Sequence, residues 1–189
     1  MPRRSGLYVL GSETMRTETT QDRVLQFMAA LGRKVKSGGR VYLTGGSSAV
    51  LLGWRRMTMD IDMQGDPEPA GFFEALSGIK DEMDINLELA SPSDFIPPLP
   101  GWQDRSQFIA RHGSVDFYHY DFYSQALSKL ERFHDRDKVD VVAMLETGLI
   151  KCERLRELFE SIKPGLIRYP SIAPDTFAKR VYSFTKEPS

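Results

Sequence analysis

The sequence predicts an α+β fold, a mixed twisted sheet with flanking helices and a helical segment appended at its C-terminal side. Three observations carry this. Residues before about 121 hold short runs of period-two alternation separated by helices, residues after it read as consecutive helices, and no internal repeat interrupts the order. The expected division is a lead-in over 1–20, an α/β core over 21–121, and a helical region over 122–189 that completes a cleft.

Residues 1–20 are polar and weakly patterned, with a short strand expected at Leu7–Leu10. A helix is expected over 21–36, where Val24, Leu25, Phe27, Met28 and Leu31 recur at helical spacing before Gly38-Gly39 stops it. Val41–Leu43 reads as a buried strand that runs into Gly45-Gly46-Ser47-Ser48, and a helix beginning at the serines follows. In Thr58–Gln64, Met59, Ile61 and Met63 alternate with Asp60, Asp62 and Gln64, which describes a strand with one apolar and one polar face. A helix over 70–80 precedes a second alternating run, in which Ile85, Leu87 and Leu89 face one way and Asp84, Asn86 and Glu88 the other. Residues 91–104, rich in proline, are expected to form an irregular loop. Phe108–Arg111 and Val115–Tyr120 form a hairpin about His112-Gly113. Helices are expected over 122–132, 137–147, 150–162 and 175–185, with Pro164–Pro174 as a linker-like break.

Bulk properties narrow the function classes. The 189 residues carry a formal net charge of −1, so no global basic field points to a nucleic acid. Cys152 is the single cysteine, which excludes an internal disulfide and a multi-cysteine zinc site. No apolar run reaches the roughly 18–20 residues that a membrane span needs, and no signal-peptide pattern follows the basic start. A cytoplasmic protein without a membrane partner is expected.

The chemistry resides in the carboxylates and the glycine bend. Aspartates at i and i+2 of a strand share a face, about 6.5–7 Å apart along the chain. So placed, Asp60 and Asp62 suit a hard cation such as Mg²⁺ or Mn²⁺, although a solvated edge face has the same pattern. Gly45 and Gly46 permit a sharp turn and close approach to the backbone, and Ser47 and Ser48 add hydroxyls at a helix start, which together suit a phosphate. A purely structural tight turn fits the same residues.

The run Leu43-Thr44-Gly45-Gly46-Ser47-Ser48, followed after a helix and a turn by Asp60-Ile61-Asp62, resembles the signature of the nucleotidyltransferase superfamily. Arg56-Met57-Thr58-Met59-Asp60-Ile61-Asp62 resembles the R-x-T-x-D-x-D form of AbiEii-type toxins, and the chain is similar to the uncharacterised DUF6036-like group. Gln125–Arg132 with Arg136-Asp137-Lys138-Val139-Asp140 resembles the K-L-x-R and R-D-x-x-D segments of AbiEii-like proteins. With these elements the resemblance extends over most of 40–147.

The resemblance implies transfer of a nucleoside monophosphate from an NTP to a hydroxyl acceptor: RNA, protein or a small molecule. A cognate antitoxin is an implied partner. It further implies a third carboxylate from a later strand, with Glu88 the candidate and Asp84 its competitor. Asp60, Asp62 and Glu88 would then be both catalytic and metal-ligating. Lys129 is expected to contact the triphosphate, Arg132 to assist it, and Asp137 to hold Lys129 or the active-site turn, or to cap the helix after it. Asp140 is expected in that helix's first turn. Phe117–Tyr123 offers aromatics that either stack on a base or pack the core, and Trp102 is a candidate cover for a pocket mouth. A non-catalytic nucleotide- or partner-binding module is the alternative reading.

Overall fold

The computed structural model describes residues 18–186, so the strand expected at Leu7–Leu10 lies outside the described residues. In chain order the elements are β1 (Thr19–Thr20), α1 (Gln21–Lys34), β2 (Gly39–Thr44), α2 (Gly45–Leu51), β3 (Met57–Thr58), β4 (Asp60–Gly65), α3 (Phe72–Met83), β5 (Asn86–Leu89), α4 (Trp102–Arg105), β6 (Gln107–His112), β7 (Val115–His119), α5 (Phe122–Arg132), α6 (Asp135–Glu146), α7 (Cys152–Ile162) and α8 (Pro174–Phe184). Short 3₁₀ turns occupy Pro92–Asp94 and Lys163–Arg168.

Five strands form one mixed sheet in the order β5-β4-β2-β7-β6. β2 runs antiparallel to β4 and parallel to β7, while β4 and β5 are parallel. The hairpin of β6 and β7 closes one edge and β5 forms the other. β1 and β3 make a separate two-stranded ribbon, with Thr19 opposite Thr58.

Alternation decides which side of the sheet is dry. Val41, Leu43, Ile61, Met63 and Phe117, all fully buried, pack with Val24, Phe27, Met28 and Leu31 of α1 and with Phe72, Ala75 and Ile79 of α3. Their strand neighbours Tyr42, Thr44, Asp60 and Asp62 must point to the other face. There an aromatic group forms, in which Trp102 stacks on Tyr120 at 4.2 Å between ring centroids and meets Tyr42 edge-on. Trp102 therefore belongs to this packed group, and it lines neither cavity described below.

A second apolar core lies within the helical half, built from Leu127 and Leu130 of α5, Val141 and Met144 of α6, Leu155 and Phe159 of α7, and Phe177 and Val181 of α8. The 91–104 segment is more ordered than its prolines suggest. Ile96 and Leu99 are sealed into this second core, because the intervening prolines turn the chain back over α5. The expected linker over 164–174 also packs, with Leu166 and Ile172 buried in the same core. Among the described residues no helix is long and apolar enough to cross a membrane.

Candidate active site

β2 ends at Thr44, whose register partner on β4 is Asp62, and Asp62 is in turn opposite Glu88 on β5. Asp60 is opposite Asn86 by the same register. The pleat therefore places Asp60, Asp62 and Glu88 on one face at the end of the sheet. Asp84, the competing candidate, lies off the strand. It caps the C-terminus of α3 in a left-handed conformation (φ 50°), because β5 begins only at Asn86.

The glycine bend meets these acids. Gly45 has φ 60°, and a Cβ at that position would stand 2.8 Å from Asp62 Oδ2. A Cβ on Gly46 would collide with the Thr58 side chain. Both glycines are thus demanded by the closeness of the bend to the D-x-D strand.

The helix after the bend starts at Gly45, ahead of the serines. Ser47 and Ser48, expected at the phosphate, are fully buried instead, since each has turned back toward β2. The Ser47 hydroxyl donates to Thr44 O at 2.7 Å, and that of Ser48 to Leu43 O at 3.1 Å. Ser48 Oγ also lies 3.0 Å from Nδ1 of His119, whose burial pushes its pKa down to about 4. The Gly45 amide is likewise engaged. It donates to Oε1 of Gln125 on α5 at 3.0 Å, while Gln125 Nε2 donates to Tyr120 O at 2.7 Å. Gln125 thereby ties the bend to the helical half.

Lys129 and Arg132 project from α5 toward the carboxylates. Lys129 is 4% exposed and donates to Asp140 Oδ2 at 2.6 Å, with Asp137 Oδ1 more distant at 3.5 Å. Arg132 donates to Asp137 Oδ1 at 2.8 Å. Asp137 is the third residue of α6 and accepts from the His134 amide, so it completes the cap without being the capping residue itself. Asp140 is not in the first turn. It sits deeper in α6, fully buried, and also accepts from Trp54 Nε1 and from Nε and Nη2 of Arg55.

Between the two halves lies a cleft of about 740 Å³, bordered by Gly45, Gly46, Thr58, Asp60, Asp62 and the start of α6. Arg55, Arg56, Lys129, Arg132 and Arg136 contribute its positive lining. A smaller chamber of about 90 Å³ adjoins it on the β5 side and contains Glu88. Gly45, Asp62, Lys129 and Arg132 border both cavities. Burial, with repulsion from Glu88 and Asp60, pushes the Asp62 carboxyl up to about 6, against the opposing pull of Arg132 and Lys129. Among the described residues no three His, Cys, Asp or Glu side chains are gathered into a ready-made metal cluster.

Residues 23–169 match the family described as a nucleotidyltransferase of unknown function, DUF6036. The chain belongs to this family. No curated protein and no solved structure matches it. In this nucleotidyltransferase, sequence reasoning placed Asp60, Asp62, Glu88, Lys129, Arg132, Gly45, Gly46 and Asp137 where the cleft and its chamber are. It missed Arg55, Gln125 and the depth of Asp140. A signal existed for Asp140: with Asp137, Val141 and Met144 it shares the stripe of α6 that faces inward. An acid on a core stripe requires a buried partner. The aromatics of 117–123 do not serve the cleft. Phe117, Tyr120 and Phe122 are each 2% exposed or less, and none lines either cavity.

Proposed function

We propose that this member of the family transfers a nucleoside monophosphate from an NTP to a hydroxyl acceptor, with the help of a divalent cation. The observation that carries the reading is Asp62, set between Asp60 and Glu88 and pressed against Gly45 at the rim of a cleft lined with arginine and lysine.

The residues fit a hard cation chemically. Asp60 and Asp62 offer carboxylate oxygens from one strand and Glu88 adds another from the next, all on one face, where the charges of Glu88 and Asp60 help to raise the proton affinity of Asp62. Bound there, Mg²⁺ or Mn²⁺ would offset charge on the α-phosphate and the departing pyrophosphate. The protein's own part is positional. Lys129 and Arg132 supply positive charge beside Asp62, Lys as a point charge and Arg as a fork. Asp140 and Asp137 hold those two cations in place by direct ion pairs. Gly45 and Gly46 let the bend lie close against Asp62 and Thr58, which brings the strand ends together at the cleft.

A non-catalytic nucleotide-binding module is favoured by one observation: Lys129 and Arg132 are already ion-paired with buried acids. Incubation with labelled NTPs, Mg²⁺ and cell extract separates the two readings. Transfer of label that disappears in Asp62→Asn supports the enzyme, and Mg·NTP binding without transfer supports the module. The toxin–antitoxin role rests on the resemblance of the Arg56–Asp62 and Gln125–Asp140 segments alone. Co-purification with a neighbouring gene product that blocks transfer would test it.

A further inference from the structure

The acceptor side of the site has its own shape and charge. Glu88 lies in the smaller chamber, whose far wall is Ser91, Pro92 and Phe95 and whose floor is Gln125 and Ser128 of α5. At about 90 Å³ it is well below the roughly 300–1,000 Å³ of sites that enclose whole small molecules. It admits a few heavy atoms. Among the described residues its cations are Lys129 and Arg132, which are already paired with Asp140 and Asp137.

The chamber adjoins a further groove of about 270 Å³, with Ala90 and Ser91 in the lining of both. Glu68 and Asp94 line that groove, and among the described residues no lysine or arginine does. Gln64, also in its wall, has a buried Oε1 with no hydrogen-bond partner among the described residues. Alongside runs β5, an edge strand of the sheet, with Leu89 54% exposed. An acidic approach repels a polynucleotide backbone, which needs a cationic track. An exposed sheet edge beside an apolar side chain suits an extended polypeptide.

We infer that the acceptor is a serine or threonine hydroxyl of a neutral or basic polypeptide, which lies along β5 and the Glu68–Asp94 groove and inserts that side chain into the Glu88 chamber. The inference rests on the nucleotidyl-transfer reading above and names its acceptor. In the step, the acceptor oxygen forms a bond to the α-phosphorus of the NTP. The bond from that phosphorus to the bridging oxygen breaks, its electron pair leaves with pyrophosphate, and the hydroxyl proton is released to solvent water.

The test uses the full chain with α-labelled NTP, Mg²⁺ and a cell extract that contains both RNA and protein, followed by separate nuclease and protease digestion. Label that resists nuclease, is lost to protease and maps to serine or threonine is the expected result. Label lost to nuclease overturns the polypeptide acceptor while leaving nucleotidyl transfer intact. No label on any macromolecule overturns the polypeptide acceptor, and if no pyrophosphate is released either, nucleotidyl transfer falls with it. Two exposed groove variants, Glu68→Lys and Leu89→Asp, give a second readout. Each is expected to lower protein labelling by about tenfold with NTP affinity unchanged. Labelling that is unchanged or increased in Glu68→Lys would show that the groove does not guide the acceptor.

Discussion

Lys129 donates to Asp140 at 2.6 Å, and that same carboxylate receives the guanidinium of Arg55 from the loop that leads into the D-x-D strand. One buried acid therefore joins the sheet half to the helical half at the back of the cleft, and it fixes where two of the cleft's cations stand. Asp137 does the same for Arg132 nearer the surface. The cleft is not simply basic, since its positive charge is held by acids from behind.

Removing Asp140 should therefore cost both fold and function. Asp140→Ala leaves Lys129 without its close partner and Arg55 with only its long bond to Arg136 O at 3.5 Å. A loss of about 3–5 kcal/mol is expected in denaturant unfolding, as for other broken buried pairs. Asp140→Asn keeps the shape and should lose less stability. Its KM for NTP should rise more than its kcat falls, because Lys129 and Arg55 lose their anchor while Asp60 and Asp62 stay. Equal falls in kcat for all NTPs with KM unchanged would count against the positioning role.

Gly45→Ala tests the contact between bend and strand. The left-handed backbone alone should cost about 1–2 kcal/mol, and the new Cβ would press on Asp62 Oδ2. Transfer activity should fall by more than the stability loss explains, as measured at a temperature where the variant remains folded. Gly53→Ala, also at positive φ but with nothing within 4 Å, should lose stability without that excess loss of activity.

Glu88 and Asp84 are distinguished by substitution. Glu88→Gln should reduce transfer by about a hundredfold or more, as expected when one of three cation-holding carboxylates loses its charge. Asp84→Asn, at the end of α3, should leave kcat within about twofold, since it touches neither cavity. Equal effects from the two variants would show that the strand register does not select the third carboxylate.

The pH dependence of stability contains two opposed contributions. Asp62 rises from 3.8 to about 6 on folding, so its contribution favours the native state at low pH and is lost as the pH climbs to 6. His119 falls from 6.5 to about 4, so its contribution is complete above 6.5 and lost as the pH drops toward 4. Without metal the two partly cancel between pH 4 and 6. Asp62→Asn should therefore raise stability at pH 7 by about 1–3 kcal/mol and expose a steeper acid loss. Thermal melts across pH 4–7 without divalent ions read both effects. A metal-free Asp62→Asn variant no more stable than the parent at pH 7 would rule out a strained Asp62.

Much of the site was legible because period two is a local property. The alternation in Thr58–Gln64 and around Glu88 fixes which side chains share a face, and strand pairing then has few ways to bring the faces together. The same reasoning failed for Ser47 and Ser48, whose hydroxyls found backbone partners in β2 before any ligand. It also failed for Asp84, where helix α3 runs on to Met83 and leaves no room for a strand until Asn86.

By itself the sequence determined the order of elements, the dry and polar faces of the sheet, and the pairing of a small-residue bend with two acids on one face. Those follow from backbone geometry and side-chain periodicity over a few residues. Only the tertiary structure decided that Asp140 underlies Lys129 and Arg55, that Gln125 occupies the Gly45 amide, and that Glu88 faces a separate chamber with an acidic approach. Asp140 stands 11 positions from Lys129 but 85 from Arg55, and Gln125 stands 80 from Gly45. Such contacts depend on how the two cores pack against each other, which no local pattern encodes.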